Sequence, residues 1–348
     1  GWRFVVTIQD GVVHILGSTG VTVNGEEIAF GSADPAVGWI YDEATGLLRL
    51  TNAGPFTLAG TNTEGKVCVV VPQGVTNEVT LSNWVVQASD EDQCVFALET
   101  NAVVSLSLAG ECDLTSADYR AGVEVPAGAS LTITNAPGDD AGALTVTGGY
   151  GGAGIGGGEN RNGGTVIITG GSVTAEGGAF GAGIGGGGSF NTYGGGGDGG
   201  TVTISGGRVA AYGNAYAAGI GGGGSYSYSG GDGGTVTISG GTVIAKGDRG
   251  GADIGPGKNG NDGSENTFTG GSICLPASSA LPAPTNNVNP VGCAVVSGFE
   301  ANAAVTIEGL SDYGVNDIFA DNYGSIYLWL PDGTYTFNAN GRSCTVKI

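Results

Sequence analysis

Near the end of a long glycine-rich region, two carboxylates and two cations fall close together in the chain: Asp248, Arg249, Asp253 and Lys258. Two carboxylates about 5 to 9.5 Å apart are what a glycoside hydrolase uses to protonate a leaving group and to attack or activate water. A β-eliminating polysaccharide lyase uses instead a Lys or Arg base and a cation that neutralises the uronate, which would be Arg249 and Lys258 beside Asp253. Asp139 and Asp140 make a second carboxylate pair. Neither arrangement is a specific signature, and drift at the end of a repeat array is the competing account. The single histidine, His14, alternates with Val13 and Ile15 as a strand residue, so no Ser/His/Asp or Cys/His set is available.

Binding asks for less than catalysis. Phe190, Tyr193, Tyr226 and Tyr228 lie in two insertions, Gly188 to Asp198 and Gly224 to Asp232, with Tyr212, Phe180, Tyr216 and Tyr150 near them in the repeat. Exposed aromatic rings on a flat β surface are what sugar rings stack on, while neighbouring Asp, Asn and Arg side chains hydrogen-bond hydroxyls. The other reading is that these rings fill the room that missing side chains leave over a glycine strip. A third constellation appears when the repeats are aligned on Gly-Gly-Thr-Val, which brings Asn162, Asp198, Asp232 and Asp262 to one corner. Carboxylates about one strand apart repel each other. Calcium at Asp198, Asp232 and Asp262 would relieve that repulsion, since it takes oxygen ligands. Alternatively, each side chain accepts a local N–H in an Asx-type turn.

These residues must be positioned by a repeat. Ala-Gly-Ile-Gly-Gly-Gly stands at 153–158, 182–187 and 218–223, and decays to Ala252-Asp-Ile-Gly-Pro-Gly257. Its isoleucines, Ile155, Ile184, Ile220 and Ile254, recur at roughly 29 to 36 residues, the period of a repeated supersecondary unit. Between the glycine runs lie two short alternating segments, such as Thr201 to Ser205 and Arg208 to Tyr212. Alternation puts Val202 and Ile204 on one face and the hydroxyl residues on the other. Three short strands per repeat predict a parallel β-helix whose stacked repeats bury columns of Val and Ile that no single repeat could bury alone. On the glycine-rich strand, Ala and Ile would point inward. Gly154, Gly183, Gly219, Gly156, Gly185 and Gly221 would then form a bare outer strip, either a consequence of tight corners or a face for a ligand or second copy.

The chain has 348 residues, with 11 Lys and Arg against 32 Asp and Glu, a net charge of −21. That balance argues against nucleic acid and anionic lipid as partners. The apolar runs are short and broken by glycine, which predicts no membrane insertion. No leader stands at Gly1, so the chain is expected to begin downstream of one. There is no CxxC, which disfavours a zinc site. Lys66-Val-Cys-Val-Val and Asp92-Gln-Cys-Val-Phe read as the same strand one repeat apart, pairing Cys68 with Cys94, while Cys293 and Cys344 open and close the terminal segment. Disulfides there would imply export. The division expected is an N-terminal β cap over 1–47, the β-helix over 48–274, a Pro-rich linker over 275–290 and a small β-sandwich-like module over 291–348.

The run Gly-Ala-Gly-Ile-Gly-Gly-Gly followed by Gly-Gly-Thr-Val-Thr-Ile-Ser-Gly-Gly, together with Tyr41-Asp-Glu-Ala-Thr-Gly-Leu-Leu-Arg-Leu and Tyr327-Leu-Trp-Leu-Pro-Asp-Gly-Thr-Tyr, resembles the Gly-rich-repeat surface proteins of anaerobic gut bacteria. These are described as carbohydrate-binding-domain-containing proteins. The resemblance covers most of the chain and implies an all-β, right-handed parallel β-helix that is secreted or displayed on a cell surface. It carries over no catalytic residue. Three functions follow as expectations: non-catalytic recognition of a polysaccharide or host or plant glycan, a lyase or glycoside hydrolase with its site on the last repeats, or a structural stalk or adhesin that forms a homo-oligomer through the glycine face.

Overall fold

The computed structural model describes residues 4–9, 12–29, 33–34, 38–65, 67–88, 90–91, 93–139, 142–190, 194–261, 266–275, 292–308, 318–331 and 333–347. Every regular element among them is a β-strand, and no helix among them is long and apolar enough to cross a membrane. Tyr193, Asp140, Asp262 and most of the proposed linker lie outside the described residues.

From residue 47 onward, each repeat supplies strands to three stacks, and each strand pairs in parallel with its counterparts before and after it. In the first stack the register lines up Phe56, Val79, Leu106, Ile133, Ile168, Ile204, Ile238 and Phe268. None of the eight is more than 2 % exposed. The second stack aligns Val86, Leu114, Val146, Ala175, Ala211 and Ala245. The third aligns Leu48, Val69, Phe96 and Val123 with Ile155, Ile184, Ile220 and Ile254. The expected isoleucine column is therefore present. Burying one such side chain is worth about 1.5–3 kcal/mol, and each repeat gains it only against its neighbours.

The glycines do not form an outer strip. Gly154, Gly183, Gly219, Gly156, Gly185 and Gly221 are all buried. A Cβ on Gly154 would lie 2.6 Å from the Gly183 carbonyl oxygen and 2.8 Å from the Glu176 nitrogen, so the backbone of the second stack occupies the space a side chain would need. Gly156, Gly185, Gly221 and Gly255 share φ of 138 to 143°, a conformation costly for any residue with a Cβ. Along the insertions, glycine amides and carbonyls alternate between two columns. Gly187 donates to Arg161, Gly197 to Gly187, Gly223 to Gly197, Gly231 to Gly223 and Gly257 to Gly231, at 2.7 to 3.0 Å. The glycine-rich strand is thus an internal seam of backbone packed on backbone, which leaves no bare face at these positions.

Antiparallel strands cover the N-terminal ends of the first and third stacks and the C-terminal end of the second. Val21 to Val23 runs antiparallel to Leu58 to Gly60, and Trp39 to Asp42 forms a hairpin with Leu47 to Leu50. At the other end, the strand Ser325–Leu330 adds antiparallel to Thr267–Leu275, with Trp329 opposite Ile273. Trp329 is fully buried and packs edge-on against Phe268 with centroids 5.9 Å apart. The rest of the C-terminal segment packs on the outer face of the second stack: Ala210, Ile244 and Cys274 share a cluster with Ile326, Leu328 and Phe337.

The proposed disulfides are absent. Phe96 pairs with Val69, so Cys94 stands one residue out of step with Cys68. A slip of one residue sends the two sulfurs to opposite faces, and both are free buried thiols. Cys344 is also free and exposed, while the side chain of Cys293 lies outside the described residues.

Candidate functional site

The aromatic residues of the insertions and of the turn before the glycine run come together. Phe180 is the centre: its ring lies 5.9 Å from Tyr150, 6.1 Å from Phe190, 6.2 Å from Tyr216 and 6.3 Å from Tyr226. Phe190 closes the group at 5.3 Å from Tyr150 and 6.3 Å from Tyr226. Two backbone features hold it. Ser189 and Ser225 bridge the two insertions in parallel, which sets Phe190 and Tyr226 side by side. Tyr119, Phe180 and Tyr216 take φ of 70, 70 and 75°, values rare for bulky residues. Their carbonyls accept the N–H groups of Glu159, Gly224 and Lys258 from the following repeat.

The result is a shelf with one buried ring, two half-buried ones at Tyr150 and Tyr216, and two exposed ones, while the exposed Tyr228 makes no ring contact with it. Phe180 is 7 % exposed, whereas Phe190, Tyr226 and Tyr228 are 52, 67 and 51 % exposed. Both readings of the aromatics therefore find an object: Phe180 fills space, and its neighbours present faces and hydroxyls to solvent. Lys258 Nζ sits 4.4 Å from the centre of the Tyr216 ring, a cation–π contact that places a positive charge at the shelf's edge. Burial, and then the nearby Glu159 carboxylate, raise the Tyr150 phenol above its ordinary value, so it stays a hydrogen-bond donor at neutral pH. Tyr212 does not belong to the shelf; it packs against the cluster between the second stack and the C-terminal segment.

Of the candidate catalytic residues, Asp248 and Arg249 lie together on the surface, whereas Asp253 is buried. Asp253 occupies the glycine column of Gly154, Gly183 and Gly219 and is 1 % exposed. Its role follows from the hydrogen bonds around it. Gly148, Gly177 and Gly213 each donate to a carbonyl of the next repeat, at Glu176, Tyr212 and Lys246. For Gly247 the acceptor is the Asp253 carboxylate, at 2.9 Å. Asp253 thus caps the last repeat. Asp248 accepts the Ala215 N–H at 3.0 Å and lies 3.5 Å from Arg249 on the surface, while Lys258 is spent on Tyr216. Asp139 accepts the Gly110 N–H at 2.8 Å.

The acidic corner is a ladder of side chain to backbone bonds. Asn162 Oδ1 accepts from Asp198 N, Asp198 Oδ1 from Asp232 N, and Asp232 Oδ1 from Asn261 N, each at 2.9 Å. Asn162 Nδ2 also donates to Asp198 Oδ2 at 2.9 Å. The residue that follows Asp232 in the ladder is Asn261 rather than Asp262. No three His, Cys, Asp or Glu side chains gather as metal ligands among the described residues.

The four buried thiols offer no nucleophile. Burial pushes Cys68 and Cys94 up to about 12 and raises Cys112 and Cys274, and a protonated thiol is a poor nucleophile. No family model, curated protein or solved structure matches the chain.

Proposed function

We propose that this chain is a right-handed parallel β-helix, secreted or held at a cell surface, that binds polysaccharide without cleaving it. The observation that carries the reading is the shelf formed by Tyr150, Phe180, Phe190, Tyr216 and Tyr226, of which Phe190 and Tyr226 are more than half exposed. Flat rings with phenol hydroxyls and one flanking ammonium suit the alternating C–H faces and hydroxyls of a sugar. The unfavourable φ at Phe180 and Tyr216 supports the same reading, because backbone strain of this kind concentrates at functional sites. The net charge of −21 fits a protein that stays dispersed outside the cell.

The test is binding of soluble neutral polysaccharides by isothermal titration. The Phe190→Ala, Tyr226→Ala double variant should lose at least tenfold in affinity with its melting temperature unchanged, since both side chains are largely solvated. Equal binding by the double variant, or release of reducing ends by the wild type, would sink the reading.

A further inference from the structure

The outward side of the third stack is treated differently along the molecule. One column of its register reads Arg49, Val70, Ala97 and Glu124, and continues as Gly156, Gly185, Gly221 and Gly255. Over the later members the chain covers itself: a Cβ on Gly199 or Gly233 would lie 2.7 or 2.9 Å from the Cα of Gly221 or Gly255. Over the earlier members none of the described residues covers the sheet, and a groove of about 730 Å³ remains. Four strands at about 4.8 Å give it a run of roughly 14 Å, the reach of a trisaccharide.

Its chemistry is unlike the rest of the surface. Arg49, Arg120 and Arg161 all line it, three of the seven arginines in a chain of net charge −21. At one end the Glu124 side chain is 5 % exposed and lies 3.1 Å from Arg120 Nη1 and 3.4 Å from Arg161 Nη1. Both guanidinium groups reach the one Glu124 carboxylate, and the Arg161 side chain, 61 % exposed, presents its remaining N–H groups to the groove. At the other end Arg49 and Glu99 form a balanced pair at 3.5 Å. Between them the floor is apolar, made by Val70 and Ala97. Gln93, whose Oε1 has no hydrogen-bond partner among the described residues, stands on the wall.

We infer that this groove binds an oligosaccharide containing uronic acid, laid along the stacking direction. A sugar carboxylate sits against Arg161 and Arg120, ring faces lie over Val70 and Ala97, and hydroxyls meet Gln93 and Glu99. Arginine suits this task because its planar fork matches a carboxylate. A lone phosphate would use one end only and leave the apolar floor unoccupied. The inference takes its ligand class from the polysaccharide reading but rests on other residues than those of the aromatic shelf.

The probes are trigalacturonate, trimannuronate and the same trisaccharides with their carboxylates reduced to alcohols, measured by titration calorimetry. The wild type should bind at least one acid more than tenfold tighter than its reduced form. Arg161→Gln should weaken that binding about tenfold, the loss of one charge-assisted contact, with an unchanged melting temperature. Phe190→Ala, Tyr226→Ala should leave it intact. No binding of either acid, equal affinity for acid and reduced form, an unaltered Arg161→Gln, or loss in the aromatic double variant would each overturn the inference. If the double variant keeps its affinity for neutral polysaccharide while trigalacturonate behaves as expected, the shelf reading fails and the groove stands.

Discussion

Four cysteines sit inside the sheet with their thiols held protonated, and this has a measurable sign. A thiol ionises near pH 9 in the unfolded chain, whereas Cys68 and Cys94 resist until about 12 in the fold because burial disfavours the thiolate. Above pH 9 the unfolded state therefore holds fewer protons than the folded one, and stability falls as pH rises. The expected slope is about 1.4 kcal/mol per pH unit for each such thiol, present between pH 9 and 12 and absent below. Urea unfolding at pH 8, 9.5 and 10.5 measures it, and Cys68→Ala with Cys94→Ala should lessen the slope, leaving the share of Cys112 and Cys274; an unchanged slope would show that other groups set it. The sequence placed both cysteines on equivalent strands but one residue out of register. Runs such as Val-Cys-Val-Val are apolar on both faces, so alternation cannot fix their phase. Asp253 is ambiguous in the sequence for a related reason. A charge breaking a glycine pattern reads as chemistry, and only the Gly247 N–H it satisfies identifies it as a cap.

At the scale of the strand, periodicity was a reliable guide and glycine was not. Val202 and Ile204 against Thr201 and Thr203 announced which face is buried, and the observed register bears this out. A glycine carries no such label, since an absent side chain points nowhere. Whether Gly186 faces water or another backbone emerges only from the fold, where a Cβ would collide with the Gly197 carbonyl. Gly186→Ala should therefore destabilise by about 1–3 kcal/mol or more, as overpacking does, read as a lower midpoint in urea. Gly74→Ala is the useful comparison: it has open space around it but φ of 72°, so its cost is that of backbone strain alone, about 1 kcal/mol. Equal losses at the two positions would mean that the seam is looser than described. The aromatic shelf was partly readable at this scale. The insertions were visible as aromatic-bearing loops, but the positive φ of Phe180 and Tyr216 had no sequence signal.

For the whole molecule, the open ends of the stacks are the hazard, because an exposed strand edge recruits other chains. Trp329 and its strand close the C-terminal end over Phe268 and Ile273. Trp329→Ala should cost about 3–5 kcal/mol and should convert a dispersed protein into one that self-associates, seen by light scattering during chromatography. A variant that loses stability yet stays dispersed would show that the rest of the C-terminal segment guards the end unaided. The uronate groove was invisible in the sequence because its arginines are scattered from position 49 to 161 and meet only when the repeats stack. One further property lies in the glycine seam. Its alternating amide and carbonyl bonds ask nothing of any side chain, so each repeat offers its successor the same template regardless of composition elsewhere. A gene could duplicate or delete one whole unit there and still encode a closed protein, with the aromatic shelf growing or shrinking by a single step.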